Sequence, residues 1–374
     1  MRISRGHWIS AVSAGTLLLG GCGGGGDGGG SNSAAPTSGT VQVVPAPTPS
    51  PAPSPVPSPT PSPAPSPAPS PLVTPVPIPT PVTPSGSWAS NAAALFTTAP
   101  DVPNCRPGTL AQSVRDDVLA RMNAIRALHR LPAVTYSSAD DEAATQAALM
   151  MAANGQLSHT PAATWKCYTA LGATGAGTSN LYGGLISPFL AYYTEDMYLG
   201  GWLTETSNLV ANNVGHRRWM LDPFLGKIAY GRVAQVLADG SRTDAAAMKV
   251  VSFTGGVTVP ANLPPFVAYP YGDYPARYFD TSSLLSFTAI VDPTQRGGAN
   301  ASVDFSKAAI SVSDEASELA VSNVSYDNLG YAVPNNLQFA VAGLKAGITY
   351  SVKITGVGVR GVATDYRYTF RIVS

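Results

Sequence analysis

Nineteen of the chain's 34 prolines fall between residues 45 and 84, in runs such as "PAPTPSPAPSPVPSPTPSPAPSP". That stretch alternates proline with Ala, Ser, Thr and Val, so it lacks the large apolar side chains needed to offset the entropy of ordering. Glycine- and serine-rich sequence precedes it over residues 23–40. Together they predict a disordered stalk over residues 22–100, biased to polyproline II at about 3.1 Å per residue and on the order of 100 Å long. Any globular core must therefore come from the remainder of the 374-residue chain.

The first 21 residues predict a signal peptide. Arg2 and Arg5 give a basic start, and Ile9 to Leu19 is an apolar run too short to span a bilayer. It ends in "LGGC", which resembles a bacterial lipobox and makes Cys22 the expected lipidated residue. Glycine rather than aspartate at position 23 favours the outer membrane or cell surface. Lys plus Arg and Asp plus Glu number 22 each, giving zero formal net charge. With no basic stripe, nucleic acid is not an expected partner, and contact with a membrane is expected only through the anchor. Once Cys22 is lipidated, Cys105 and Cys167 are the remaining thiols. In an oxidising compartment that pair reads as a disulfide closing a long loop; two metal-ligating thiolates are the alternative.

Beyond the stalk, hydrophobic periodicity changes twice. "SVRDDVLARMNAIRALHRL" from Ser113 places Val114, Val118, Met122 and Ile125 on one helical stripe, stopped by Pro132. A second helix is expected from a cap at Ser137 or Ser138, with Asp140, Asp141 and Glu142 in its first turn and Gly155 at its end. Residues 158–188 read as a loop, followed by a helix from about Pro188 to Glu205 and a short one opened by Asn212 or Asn213. "KIAYGRVAQVL" and "AAMKVVSFTG" read as strands. After residue 257 short alternating runs recur between turns, a β-sandwich pattern that resembles immunoglobulin-like modules of bacterial surface proteins. The expected fold is α+β: an α-β-α sandwich over residues 101–257, then an all-β immunoglobulin-like sandwich over 258–374.

Four histidines leave few candidates for chemistry. His129 ends the first helix, where a cation suits the negative terminus. His159 lies in "LSHTP" and His216 in "NNVGHRRWML". Two imidazoles brought together could hold Zn²⁺ or another divalent ion, with a carboxylate to deprotonate bound water. Glu195 and Asp196 read as a solvated helix face. Of Arg217 and Arg218, one is expected to pack or to pair with a local carboxylate.

The order of these features resembles the CAP superfamily, which includes cysteine-rich secretory, antigen 5 and pathogenesis-related 1 proteins. Asn123 and Arg126 match its N-x-x-R element, "SHTP" its first histidine, Trp202 and Glu205 its Trp-x-x-Glu helix, and Gly215 and His216 its Gly-His element. Where the family carries Gly-Glu-Asn-Leu, this chain has "GTSNL", so Ser179 replaces a glutamate. The resemblance implies a cleft around His159, Glu205 and His216 with a possible divalent metal, and no settled reaction. A binding or interaction module at the cell envelope, recognising protein, lipid or cell-wall material, is the favoured expectation. The alternatives are a metal-dependent hydrolase of peptides or cell wall, with His159 and His216 on the metal and Glu205 as base, and a lipid or sterol carrier.

Overall fold

In a computed structural model, residues 78–81 and 83–374 are described; the signal peptide, Cys22 and the proline-rich run to residue 77 lie outside them. The chain order begins α1 (Trp88–Ala93), β1 (Phe96–Thr98), β2 (Thr109–Leu110), α2 (Gln112–Leu128), β3 (Thr135–Tyr136) and α3 (Asp141–Asn154). It continues with α4 (Ala170–Gly177), β4 (Ser179–Ser187), α5 (Glu195–Thr204), α6 (Gly215–Met220), β5 (Lys227–Val236) and β6 (Arg242–Lys249). Nine strands complete it: β7 (Phe266–Tyr269), β8 (Gly272–Pro275), β9 (Leu285–Ala289), β10 (Ala309–Ser313), β11 (Glu318–Leu319), β12 (Val321–Asp327), β13 (Asn336–Val341), β14 (Thr349–Val359) and β15 (Val362–Val373).

The first part is an α-β-α sandwich around a sheet of order β3-β5-β6-β4. Strand alternation assigns the faces. Leu181, Val233, Ala245 and Ala247 meet the alanine-rich face of α3, including Ala147, Ala148 and Met151. Tyr230, Ala246 and Met248 meet the cluster containing Val118, Met122 and Ile125 of α2 and Trp202 of α5. The stripe read for α2 is therefore the buried one, and Gly155 closes α3 in the left-handed conformation at φ 60°.

Two stretches depart from the sequence reading. Residues 88–98, assigned to the stalk, form α1 and β1, because Trp88, Ala92 and Leu95 supply the apolar surface that the proline repeat lacks. The expected loop 158–188 contains α4 and the edge strand β4. Helix α4 ("ALGATGAG") has glycines where helix formers are expected, and packing explains one of them. A Cβ on Gly175 would stand 2.0 Å from Ala143 O, so only glycine lets α4 lie against α3. Cys105 and Cys167 form a disulfide that ties the stretch before α2 to the loop before α4.

The C-terminal part is all β, with sheets of order β11-β10-β14-β15-β8 and β12-β13-β9-β7. Aromatic contacts close the two sheets on each other: the Phe287 and Tyr366 ring centroids are 5.0 Å apart, those of Phe266 and Tyr368 6.0 Å. Residue 257 marks a change of secondary structure and not a gap between bodies. One hydrophobic cluster runs from Trp88 to Ile372, and the described residues form a single compact unit. No helix among the described residues is long and apolar enough to cross a membrane.

Charged side chains complete the junction. His129 does not serve as a cation at the end of α2. It is buried, its Nδ1–H donates to Ala268 O at 2.7 Å and its Nε2 lies 3.1 Å from the Tyr274 hydroxyl. Desolvation pushes its pKa down to about 3, which keeps the ring neutral. Glu195 and Asp196 are not a solvated face either. Arg232 bonds both Glu195 (2.7 Å) and Asp244, while Arg121 bonds Asp196 (2.9 Å), all of them buried.

Candidate functional site

Two turns bring Glu205 and His216 together. Glu205 follows α5 as its C-cap in the left-handed conformation at φ 59°, which turns the chain back towards α6. Its side chain is 4 % exposed and all its contacts are local. Oε2 accepts from His216 Nδ1 (2.8 Å) and from Asn208 Nδ2 (2.8 Å), and Oε1 accepts from Arg217 N (3.0 Å). The carboxylate accepts at Nδ1, so that nitrogen carries a proton, and Nε2 is left without a partner among the described residues. The backbone around the ring is equally fixed: Asn180 Nδ2 donates to His216 O at 3.0 Å.

The next two residues anchor this unit to the C-terminal sheets. Arg217 is fully buried; its guanidinium donates to Leu203 O, Thr204 O and Leu284 O and lies 3.8 Å from the Tyr269 ring centroid. Arg218 makes a bidentate pair with Asp327 and reaches Tyr331 O. Arg217 packs, as expected of one of the two, whereas Arg218 pairs with a carboxylate that is not local but 109 residues away. Ser283 Oγ donates to Thr204 O, and Gln338 Nε2 to Asn212 O. The loop from Thr204 to Gly215 is thus gripped by the β region at both ends. Arg126 does similar work beneath it, donating to Pro132 O, Met220 O and Asp222 O, while Asn123 bonds both the N–H of Val134 and its carbonyl. The N-x-x-R element is therefore scaffolding.

His159 is built differently. It is exposed, and its contact is Nδ1–H to Ala176 O at 2.8 Å, at the end of α4. Its Nε2 is also left without a partner among the described residues. Beyond Ala176, Ser179 opens β4 and is 4 % exposed, and its Oγ has no hydrogen-bond partner. Directly opposite it on β6 stands Lys249.

The donor set does not fit a catalytic zinc. Such a centre takes three protein ligands and leaves one position open. Among the described residues no group of three or more His, Cys, Asp or Glu side chains comes together as a metal set. His159 and His216 each offer a nitrogen, Glu205 is consumed by three local bonds, and Ser179 stands where a carboxylate would be. Side chains so disposed support no reaction step through a metal.

Three participants were not foreseen from sequence: Asn208, Thr178 and Lys249. The first two lie in polar loop sequence with nothing to mark them. Lys249 carried a signal, because it is the one charge in "AAAMKVVSF", a largely apolar run at the end of β6 whose alternation points it inward.

The layered fold and the Glu205–His216 hydrogen bond define a class: an α-β-α sandwich that carries a histidine–carboxylate pair. Residues 119–235 match the family described as "CAP: Cysteine-rich secretory protein family", and this region of the chain is a CAP domain. No curated protein matches the chain.

Proposed function

We propose that this CAP-domain protein is a binding module of the bacterial cell envelope, exported and held at the outer membrane or cell surface by a lipid on Cys22. The observation that supports it is the commitment of Glu205. A base that activates water needs a free carboxylate oxygen aimed at that water. Glu205 spends its oxygens on His216, Asn208 and the Arg217 N–H, which makes it the group that orients His216. A ring held in one tautomer on a segment gripped from two sides is a preorganised contact point, and preorganisation lowers the entropic cost of binding. The ligand is an envelope component: protein, lipid or cell-wall material.

The metal-dependent hydrolase is the reading this must be separated from. Isolated envelopes are incubated with purified wild-type protein and with His216→Ala, then sedimented, and Zn²⁺ binding is measured by calorimetry in parallel. Saturable co-sedimentation of wild type that weakens in His216→Ala is the expected result. Micromolar Zn²⁺ affinity that disappears in His216→Ala, without envelope binding, would replace the binding module with the hydrolase.

A further inference from the structure

Lys249 is an unusual buried cation. The residue is 2 % exposed, and among the described residues its ammonium makes a single hydrogen bond, to Thr178 Oγ1 at 2.9 Å. Among the described residues it takes part in no ion pair. Its other neighbour is the Phe253 ring, with the centroid 5.8 Å from Nζ. An ammonium carries three donors, so two are left over. Buried charges are ordinarily paired, because desolvation costs several kcal/mol. The acid acting on it, Asp140, is beyond ion-pair distance, and that carboxylate already accepts from Ser137 Oγ and from the N–H and hydroxyl of Thr254.

The second unmet group is its cross-strand neighbour. Ser179 and Lys249 are direct partners on antiparallel strands, so their side chains leave the same face of the sheet about 5 Å apart at Cβ. Ser179 Oγ is buried and unbonded. One surplus hydroxyl and two surplus N–H donors thus converge where the CAP resemblance expects a glutamate. A water molecule there would satisfy hydrogen bonds and leave the charge uncompensated. An anionic oxygen group would satisfy both. The surface is close in sequence: Thr178 is half-buried, and Gly177 beside it is exposed.

We propose that Thr178, Ser179 and Lys249 form a receptor for one anionic oxygen group, a carboxylate or a phosphate, on the envelope ligand. This rests on the binding-module reading and inverts the sign of the site: a glutamate at position 179 would attract cations, whereas serine beside Lys249 attracts anions. Thr178 holds the ammonium in place through its hydroxyl, which itself donates to Thr174 O at 2.7 Å. Ser179 Oγ donates to the ligand oxygen, and Lys249 supplies the charge.

The test uses the full chain with sodium acetate and inorganic phosphate as separate probes, against sodium chloride at matched ionic strength. The Lys249 side-chain NMR resonances and the thermal midpoint are followed. A saturable Lys249 shift at millimolar acetate or phosphate, absent with chloride, is expected, and the stronger probe shows which anion class the ligand carries. Lys249→Met abolishes the response and Ser179→Ala weakens it about tenfold, the loss of one hydrogen bond to a charged group. Ser179→Glu supplies an internal carboxylate, so it abolishes the response and raises the thermal midpoint. Silence of Lys249 to both anions overturns the proposal, as does a lowered midpoint in Ser179→Glu. If envelopes still co-sediment wild type while Lys249 stays silent, the anion receptor fails and the binding module stands. If co-sedimentation is also lost, both fail.

Discussion

The two margins of the CAP site are built on opposite principles. Around His216 the groups that hold the ring are spent: Glu205 on three partners, Arg217 on three carbonyls and an aromatic ring, Arg218 on Asp327 and Tyr331. Around Ser179 polar groups are left over: an unbonded hydroxyl and an ammonium with one partner. A saturated network fixes geometry, and an unsaturated one at the same site invites a ligand. The β region belongs to the first margin, since Ser283, Leu284, Asp327 and Gln338 hold the segment on which Glu205 and His216 sit.

The largest expected effect comes from breaking the saturated margin. Arg217→Met leaves three carbonyls, one buried and two half-buried, without a charged donor, a loss of about 4 kcal/mol. A denaturant midpoint within a few tenths molar of wild type would show that the β region does not grip the site. Reducing Cys105–Cys167 acts on the other margin, because Cys167 lies in the loop that carries His159. The 62-residue separation corresponds to about 4 kcal/mol on the chain-entropy model. Amide exchange should rise across residues 158–177 and stay low around His216; a uniform rise would erase the distinction between the margins.

Acid probes the junction next. His129 titrates near 3 in the fold and near 6.5 when unfolded, so unfolding takes up a proton between those values. Its contribution is full above pH 6.5 and is lost as pH falls towards 3, amounting to about 3 kcal/mol by pH 4. The stability difference between pH 7 and 4 should shrink by that much in His129→Gln; an unchanged difference would place the acid sensitivity elsewhere. The smallest effect is that of Asn208→Ala, which removes exposed or half-buried bonds to Glu205 and Asn213 O and the acceptor of the Val210 N–H. About 1 kcal/mol of stability is expected to go, with weaker envelope co-sedimentation. Loss of co-sedimentation without any change in stability would mean that Asn208 touches the ligand itself.

Sequence made part of this legible. The stripe of α2, the alanine face of α3, strands β5 and β6 and the pairing of Glu205 with His216 could be read from spacing and family resemblance. What escaped depended on distant partners. Glu195 and Asp196 look solvated until Arg232 and Arg121 arrive from 37 and 75 residues away. His129 looks like a helix-end cation until Ala268 and Tyr274 cover it. Helix α4 was hidden because glycine lowers helix propensity, and its reason, the close approach of Gly175 to Ala143, exists only in three dimensions. Ser179 was legible as a missing carboxylate, whereas Lys249 opposite it required the strand register.

The central claim is that Glu205 orients His216 and does not activate water. Purified cell-wall sacculi and a mixed peptide library, incubated with wild type and Glu205→Ala in the presence of Zn²⁺, measure this directly by the soluble fragments released. The account predicts binding to an envelope component with no fragments above background for either protein. Fragment release by wild type that Glu205→Ala abolishes would contradict it.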